Sequence, residues 1–482
     1  MANARYKLLS DDETEVDIEE QAMEIEKNPG KLHGKAMNTF FFVCGMLICY
    51  VILLNTQTKQ SSSLKSLKEV FVKPIVRQKF ERFEDFYFTR DESQFLDCTQ
   101  IVNGSRNAID NYVNNGRLRL NREKLLSLPM DCENLQTRIR GDVKNFNKLE
   151  RPIAFVRNIF TLYEFQESLL SMDYHPDNTY CYSIDSKTVH RLVENMQTLS
   201  KCFPNIAINP VEYSFDSSGH FQDRAHFDCL KLIMNTTWYH ALLLQNYDMV
   251  LKPAEQLSDL SKMLDYTSVM GLEYGFRGRY KSNANWTPAG LKLFKNETGV
   301  PDEILHRPLR IRKGLNEVLL SRVFVDSIFE KLNLEPIMDL FDNNTMYGVD
   351  EMLIQTLYEN YLGLEGQMTS NCTKSQSDNL TRATDWNFNG PNGYSKNCRS
   401  KWKRHGICII GVEYLQGFAN ANRVTANKVL DNFDLGPIIC LREMFRSGKT
   451  KPIPESALNW SPQYREMIQK RNGTYVREEF EC

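Results

Sequence analysis

Residues 36–58, AMNTFFFVCGMLICYVILLNTQT, carry no charged side chain, and no other segment constrains the chain as much. The densely apolar part, residues 40–54, is short for a bilayer span, but its uncharged flanks bring it to about 20 residues, the length a transmembrane helix needs. A short span suits the thinner membranes of the early secretory pathway. A cleaved signal peptide is the competing reading. The polar, acidic head of 35 residues in front of the segment argues against it. Lys27, Lys31 and Lys35 precede the segment and Lys59, Lys65 and Lys68 follow it, so basic residues barely discriminate its orientation.

Two other patterns give the side. Asn-X-Ser/Thr acceptors occur at Asn103, Asn235, Asn285, Asn296, Asn343, Asn371, Asn379 and Asn472, all after the apolar segment. A ninth, Asn459, is a poor acceptor because Pro462 follows its Ser461. Cys44 and Cys49 lie inside the segment, and the other ten cysteines come after it: Cys98, Cys132, Cys181, Cys202, Cys229, Cys372, Cys398, Cys408, Cys440 and Cys482. An even number fits an oxidising lumen with several disulfides. No CxxC pair or histidine cluster accompanies them, which argues against a zinc site. The expected plan is type II: a cytosolic tail (1–35), one signal-anchor (36–58) and a lumenal remainder, placed in the Golgi membrane.

With 41% hydrophobic and 11% aromatic residues, most of the chain has enough apolar surface to fold, and a net charge of -2 gives no sign of a nucleic-acid partner. Residues 59–149 read as a stem and lumenal N-terminal region, beginning with the polar, Ser/Lys-rich stretch after the anchor. From residue 150 the composition changes. RPIAFVRNIF, TYCYSID, PNIAINP and WYHALLLQNYD read as buried strands, with EFQESLLSMD and QDRAHFDCLKLIMN as helices between them. That alternation predicts an α/β domain, a mainly parallel sheet flanked by helices, over residues 150–446. Residues 370–397 form a long polar loop, and 447–482 read as a loosely attached C-terminal tail of mixed charge.

Asp350 and Glu351 precede Met352, Leu353, Leu357 and Tyr361 at helical spacing, so the pair marks a helix start. One reading makes Asp350 the cap and Glu351 a first-turn acid at the positive end of the helix dipole. No Asp-X-Asp motif follows the apolar segment. An enzyme of nucleotide sugars built on this chain would therefore neutralise the leaving diphosphate with cations, for which Lys401, Lys403, Arg404, His405 and Lys428 are candidates. Solvated surface is the alternative reading of such a basic cluster.

The stretch YHPDNTYCYSID, residues 174–185, resembles a segment of the core-2/I-branching β-1,6-N-acetylglucosaminyltransferase family, which is related to the peptide O-xylosyltransferases. CFPNI, HFDCLKLI, LLLQNYDMVLKP, KGLNEVLLSRVFV, VDEMLIQTL, GICIIG and ANK resemble further family segments in the same order, over roughly residues 150–445. The resemblance implies a GT-A-like glycosyltransferase domain and the disulfides Cys98–Cys440, Cys132–Cys202, Cys181–Cys229 and Cys398–Cys408. Cys372 and Cys482 are left to pair together or across chains in a disulfide-linked dimer. The resemblance makes Glu351 the catalytic base and Lys428 and Arg404 ligands of the donor diphosphate; Asp185 follows a strand, where a carboxylate commonly meets the nucleotide, and could equally cap the next turn. The family arginine aligns with His405; Arg404, one residue earlier, is assigned its role. Glu273, Trp386 and Phe388 align with acceptor-binding residues, Phe388 standing where the family has tyrosine. The family's Asp-Phe-Pro is here Asp248-Met249-Val250.

The implied function is inverting transfer of N-acetylglucosamine from UDP-GlcNAc to a glycoprotein or glycan, forming a β-1,6 branch on O-glycans, with no cofactor and no divalent metal. A protein O-xylosyltransferase using UDP-xylose and a non-catalytic lumenal glycan-binding protein are the alternatives. A glycosidase is disfavoured because no second carboxylate motif completes an acid/base pair.

Overall fold

The computed structural model describes residues 83–481, apart from residues 122–124, 126–127, 142, 144, 276, 344, 371–379 and 391. The expected tail and anchor, the stem before residue 83, and Asn371, Asn379, Cys372 and Cys482 lie outside the described residues. Among the described residues no helix is long and apolar enough to cross a membrane.

Five strands make the central sheet, in the spatial order Ile206–Ile208, Thr179–Ile184, Ile153–Ile159, His240–Leu244, Leu319–Ser321. The first four run parallel and the last is antiparallel to its neighbour. Helices Tyr163–Asp173, His190–Cys202 and Gln222–Leu232 make the crossovers, so the strand–helix alternation of the sequence is realised. Both faces are covered, which is why Ile153–Ile159, Thr179–Ile184, His240–Leu244 and Leu319–Ser321 are buried on both sides and mostly apolar rather than alternating. Ala154, Val156, Cys181, Ala241 and Leu243 face one core with Phe227, Leu230 and Leu353. Their neighbours Ile153, Phe155, Tyr180, Tyr182, Leu242 and Leu244 face the other, with Leu192, Met196 and Leu260.

A third core joins the two ends of the described chain. Phe83, Tyr87, Ile101 and Tyr112 pack with Val412, Ile438, Ile439 and Leu441. Arg117 bridges Asp434 at 2.7 Å and also pairs with Glu413. Thus, within the stretch assigned to stem and N-terminal region, residues from Phe83 onward are folded against C-terminal elements. The tail expected to be loosely attached is also docked. Its helix Pro462–Arg471 buries Tyr464 and Met467, and Glu466 accepts from the Thr369 and Ser370 backbone N–H groups, each at 2.9 Å. Sequence polarity missed this because the buried Tyr464 and Glu466 are polar groups that find partners in the fold, Tyr464 donating to Glu455 Oε1 at 2.6 Å.

Among the described residues the structure forms four disulfides, Cys98–Cys440, Cys132–Cys202, Cys181–Cys229 and Cys398–Cys408. The third ties helix Gln222–Leu232 to the middle of the sheet; the fourth closes the hairpin of the basic SKWKRHG stretch.

Candidate active site

The carboxyl ends of parallel strands form the natural ligand crevice of an α/β sheet. Asp185 stands there, directly after strand Thr179–Ile184, and is buried. Its Oδ1 accepts from the Lys187 backbone N–H at 2.9 Å, so it caps its own turn. Across the crevice, Asn246 Oδ1 accepts from the N–H groups of Phe160 and Thr161, at 2.8 and 3.2 Å, joining the loops that follow two adjacent strands.

A small sheet gathers the charged centre. Strand Thr425–Ala426 pairs antiparallel with Met249–Val250 and parallel with Arg382–Ala383. This pairing sets Asp248, Arg382 and Lys428 side by side although they are far apart in sequence. Asn427 Nδ2 donates to Asp248 Oδ1 at 2.8 Å, and Arg382 Nη1 meets the Glu317 carboxylate at 2.7 Å. Burial pushes Lys428 down to about 8, and the Arg404 and Arg382 cations add to the shift. Burial pushes Glu317 up to about 8, against the pull of Arg382 and with help from Asp248. Arg404 therefore lies within electrostatic reach of Lys428, whereas His405 sits in the left-handed turn of the hairpin, at φ 50°. Three cations over two buried carboxyls leave a local surplus of positive charge, suited to an oxyanion-rich group.

Glu351 lies beside this cluster and its carboxylate contributes to the field at Arg382. Its Oε2 is 2.6 Å from Arg279 Nη1 and 3.2 Å from Lys313 Nζ, and its side chain is 18% exposed. The helix start expected at Asp350 and Glu351 requires correction. Val349–Glu351 form a 3-10 turn, and the α-helix runs Leu353–Glu359 with Met352 at its N-cap and no side-chain cap bond. Asp350 is buried instead, accepting from Asn316 Nδ2. Burial, then the neighbouring Glu351 charge, raises it to about 7. The exchange has a steric reason: Gly219, at φ +94°, would place a Cβ 1.9 Å from Asp350 Oδ1, so the glycine makes the room. Ser218 O also accepts from the N–H groups of Gly348 and Val349, at 2.8 and 3.0 Å, locking the two loops together.

The other predicted residues border this centre. Glu273 pairs in register with Lys313 across a two-stranded ladder, which brings it to the Glu351 side. Trp386 and Phe388 stack with ring centroids 5.2 Å apart, and Arg382 Cζ is 6.0 Å from the Trp386 ring centre. Lys403, a sequence candidate for phosphate, is committed elsewhere: its Nζ donates to the carbonyls of Asn387, Asn389 and Gly390 at 3.1, 2.5 and 2.8 Å, holding the Phe388 loop. The expected acceptor asparagines Asn285 and Asn296 bond their own Thr287 and Thr298 N–H groups, and Asn103 and Asn343 end helices. Asn472 likewise ends helix Pro462–Arg471, and Asn235 follows helix Gln222–Leu232.

Arg279, Lys313, Arg382, Glu317 and Asp248 were not singled out in the sequence as site residues. Asp248, Lys313 and Glu317 lie inside the segments LLLQNYDMVLKP and KGLNEVLLSRVFV, whereas Arg279 and Arg382 lie in none; strand pairing brings Arg382 and Lys313 to the site. Among the described residues no group of three or more His, Cys, Asp or Glu is placed to hold a metal ion.

Comparison with known proteins places this α/β domain among the glycosyltransferases. The family described as Core-2/I-Branching enzyme matches residues 153–419, more than half of the chain, and the chain belongs to that family. It is similar to beta-1,3-galactosyl-O-glycosyl-glycoprotein beta-1,6-N-acetylglucosaminyltransferase 3 of Rattus norvegicus, 22% identical over 420 residues, covering 83% of this chain and 94% of the rat protein. The corresponding transferase of Bovine herpesvirus 4 (strain DN-599) is 24% identical over 373 residues, 73% of this chain and 82% of its own. Transferase 4 of Mus musculus is 25% identical over 352 residues, 69% of this chain and 74% of its own.

Proposed function

We propose that the protein transfers N-acetylglucosamine from UDP-GlcNAc to an O-glycan, forming a β-1,6 branch with inversion and without a divalent metal. The observation that carries this reading is the convergence of Lys428, Arg404 and Arg382 at the carboxyl end of the sheet, beside Glu351. The cations stabilise the departing diphosphate where charge develops, as a metal would. Glu351 removes the proton of the acceptor hydroxyl as its oxygen attacks the anomeric carbon; the C1–O bond to UDP breaks and the pair of electrons leaves with the phosphate. Arg279 and Lys313 both contact Oε2, which leaves Oε1 for the hydroxyl. Asp185 serves the donor, while Glu273, Trp386 and Phe388 serve the acceptor. The rat relative's name, a galactosyl-O-glycosyl-glycoprotein transferase, supports a glycan acceptor. Residues 36–58 would anchor the domain in the Golgi membrane with the transferase in the lumen.

The test uses the purified full chain in detergent with a panel of UDP-sugars, glycan and peptide acceptors, with and without EDTA. N-acetylglucosamine transfer that survives EDTA and falls by about 10²–10⁴ in Glu351→Gln is the expected result. Transfer of xylose to peptide serine would replace the reading with a xylosyltransferase. Glycan binding with no turnover from any donor would replace it with a lectin-like protein.

A further inference from the structure

The hairpin closed by Cys398–Cys408 has one face in the core; on the other, Tyr394, Trp402 and Trp386 are exposed while Ile407 between them is buried. Strand Trp402–Arg404 pairs antiparallel with Gly393–Tyr394 on one side and with Ile407–Cys408 on the other; Trp386 bridges to Ile407 beyond. Residues paired across antiparallel strands share a face, and residues two apart on a strand share a face. Tyr394 therefore shares a face with Trp402, Trp402 with Arg404, Arg404 with Ile407, and Ile407 with Trp386. The opposite face carries Lys403 and Cys408, both buried.

The outward face is aromatic at both ends. Trp386 and Phe388 are 46% and 72% exposed, and Tyr394 and Trp402 are 59% and 47% exposed, so each ring offers much of its surface to solvent. Tyr394 and Trp402 meet edge to face at 6.5 Å, and Trp402 leans on Phe433 at the same distance, which fixes its ring. At neighbouring-strand spacing the row from Trp386 to Tyr394 crosses three strand gaps, roughly 14 Å. The rings at the Trp386 end belong to the acceptor side proposed above; those at the Tyr394 end have no assigned use.

We propose that Tyr394 and Trp402 form a second carbohydrate subsite that holds sugars of the acceptor lying beyond the one that reacts. The proposal rests on the acceptor reading of Trp386 and Phe388. The occupant is a saccharide because the exposed large apolar side chains on this hairpin are all aromatic and continue the row of rings that begins at the acceptor side with Trp386 and Phe388. Ring faces take sugar C–H surfaces, while the Tyr394 hydroxyl and the Trp402 indole N–H take hydroxyls at the rim.

The test compares kcat/KM of the full chain for a β-1,3-galactosyl disaccharide acceptor and for the same acceptor lengthened by several sugars. One aromatic stack corresponds to about a tenfold change in affinity, so Trp402→Ala should cut the long-over-short preference about tenfold, through KM. Trp402→Phe, which keeps a ring against Phe433, should recover most of it. An unchanged preference in Trp402→Ala and Tyr394→Ala overturns the subsite. Should the wild type transfer to neither acceptor, the functional reading fails, and direct binding of the long oligosaccharide decides separately. Binding lost in Trp402→Ala upholds the subsite; equal binding, or none in the wild type, overturns it.

Discussion

Gly348 sits at φ 71°, ψ 42°, directly before the turn that carries Glu351. A Cβ there would lie 2.5 Å from Arg279 Nη1 and 3.1 Å from Glu351 Oε2. Gly348→Ala therefore imposes two separable costs. The left-handed backbone costs an L-residue about 1–2 kcal/mol. The methyl also displaces the Arg279 guanidinium from its 2.6 Å contact with Glu351, an ion pair with side chains 22% and 18% exposed and worth roughly 0.5–1 kcal/mol. The sum, about 2 kcal/mol, is read as a lowered urea midpoint. Gly348→Asn separates the parts, because asparagine tolerates the left-handed region but still meets Arg279. If Arg279 holds the Glu351 carboxylate for proton removal, both variants lose transfer activity to a similar degree, as Arg279→Met does, while only alanine shows the full stability loss. Gly348→Ala with a wild-type urea midpoint would refute the steric argument. Both variants retaining full transfer would refute the role given to Arg279.

Lys428, pushed down to about 8, should make UDP affinity level at lower pH and weaker as the pH rises through about 8, since the lysine then loses its charge. Calorimetric titration of Lys428→Met with UDP should show binding weaker by roughly 10–100-fold and a flatter pH dependence; an unchanged slope would transfer the effect to Glu317, which titrates in the same range. Asp350 is raised to about 7 in the fold, so the native state holds a proton that the unfolded chain releases near 4. Its carboxyl thus costs stability as pH rises between these values, by up to about 1.4 kcal/mol per unit, and Asp350→Asn should gain on the wild type over that window in urea unfolding; parallel curves would refute this. Lys403→Met leaves the carbonyls of Asn387, Asn389 and Gly390 without their donor, and should cost at least about 2 kcal/mol and open residues 386–390 to limited proteolysis.

The sheet was legible because each strand is a short, mostly apolar run set between helical stretches, information that lies within a dozen consecutive residues. The disulfide partners were legible only through resemblance, since spacing alone leaves many pairings open. The charged centre was legible in part. Lys428 and Arg404 could be picked as cations, but Arg382 comes to them through a register between strands more than forty residues apart. Lys403 looked equivalent to Arg404 in sequence, yet strand alternation sends the lysine inward to three carbonyls and the arginine outward. Asp350 looked like a cap because cap residues and buried carboxylates share the same side chain; only the space left by Gly219 separates the two roles.

The Cys98–Cys440 bond spans 342 residues and joins the first packed helices to helix Gly436–Arg446. At about 5–20 residues per second, the thiol of Cys98 is made roughly 20–70 s before its partner exists. Throughout that interval the next thiol in the chain is Cys132, and the core that takes Phe83, Tyr87 and Ile101 lacks the helix Gly436–Arg446 that completes it. Biosynthesis of this protein thus contains a waiting period set by its topology, during which one sulfur must stay reduced and one apolar surface must stay shielded. A chain terminated before residue 440 would carry that exposed pair indefinitely, however well its central sheet had formed.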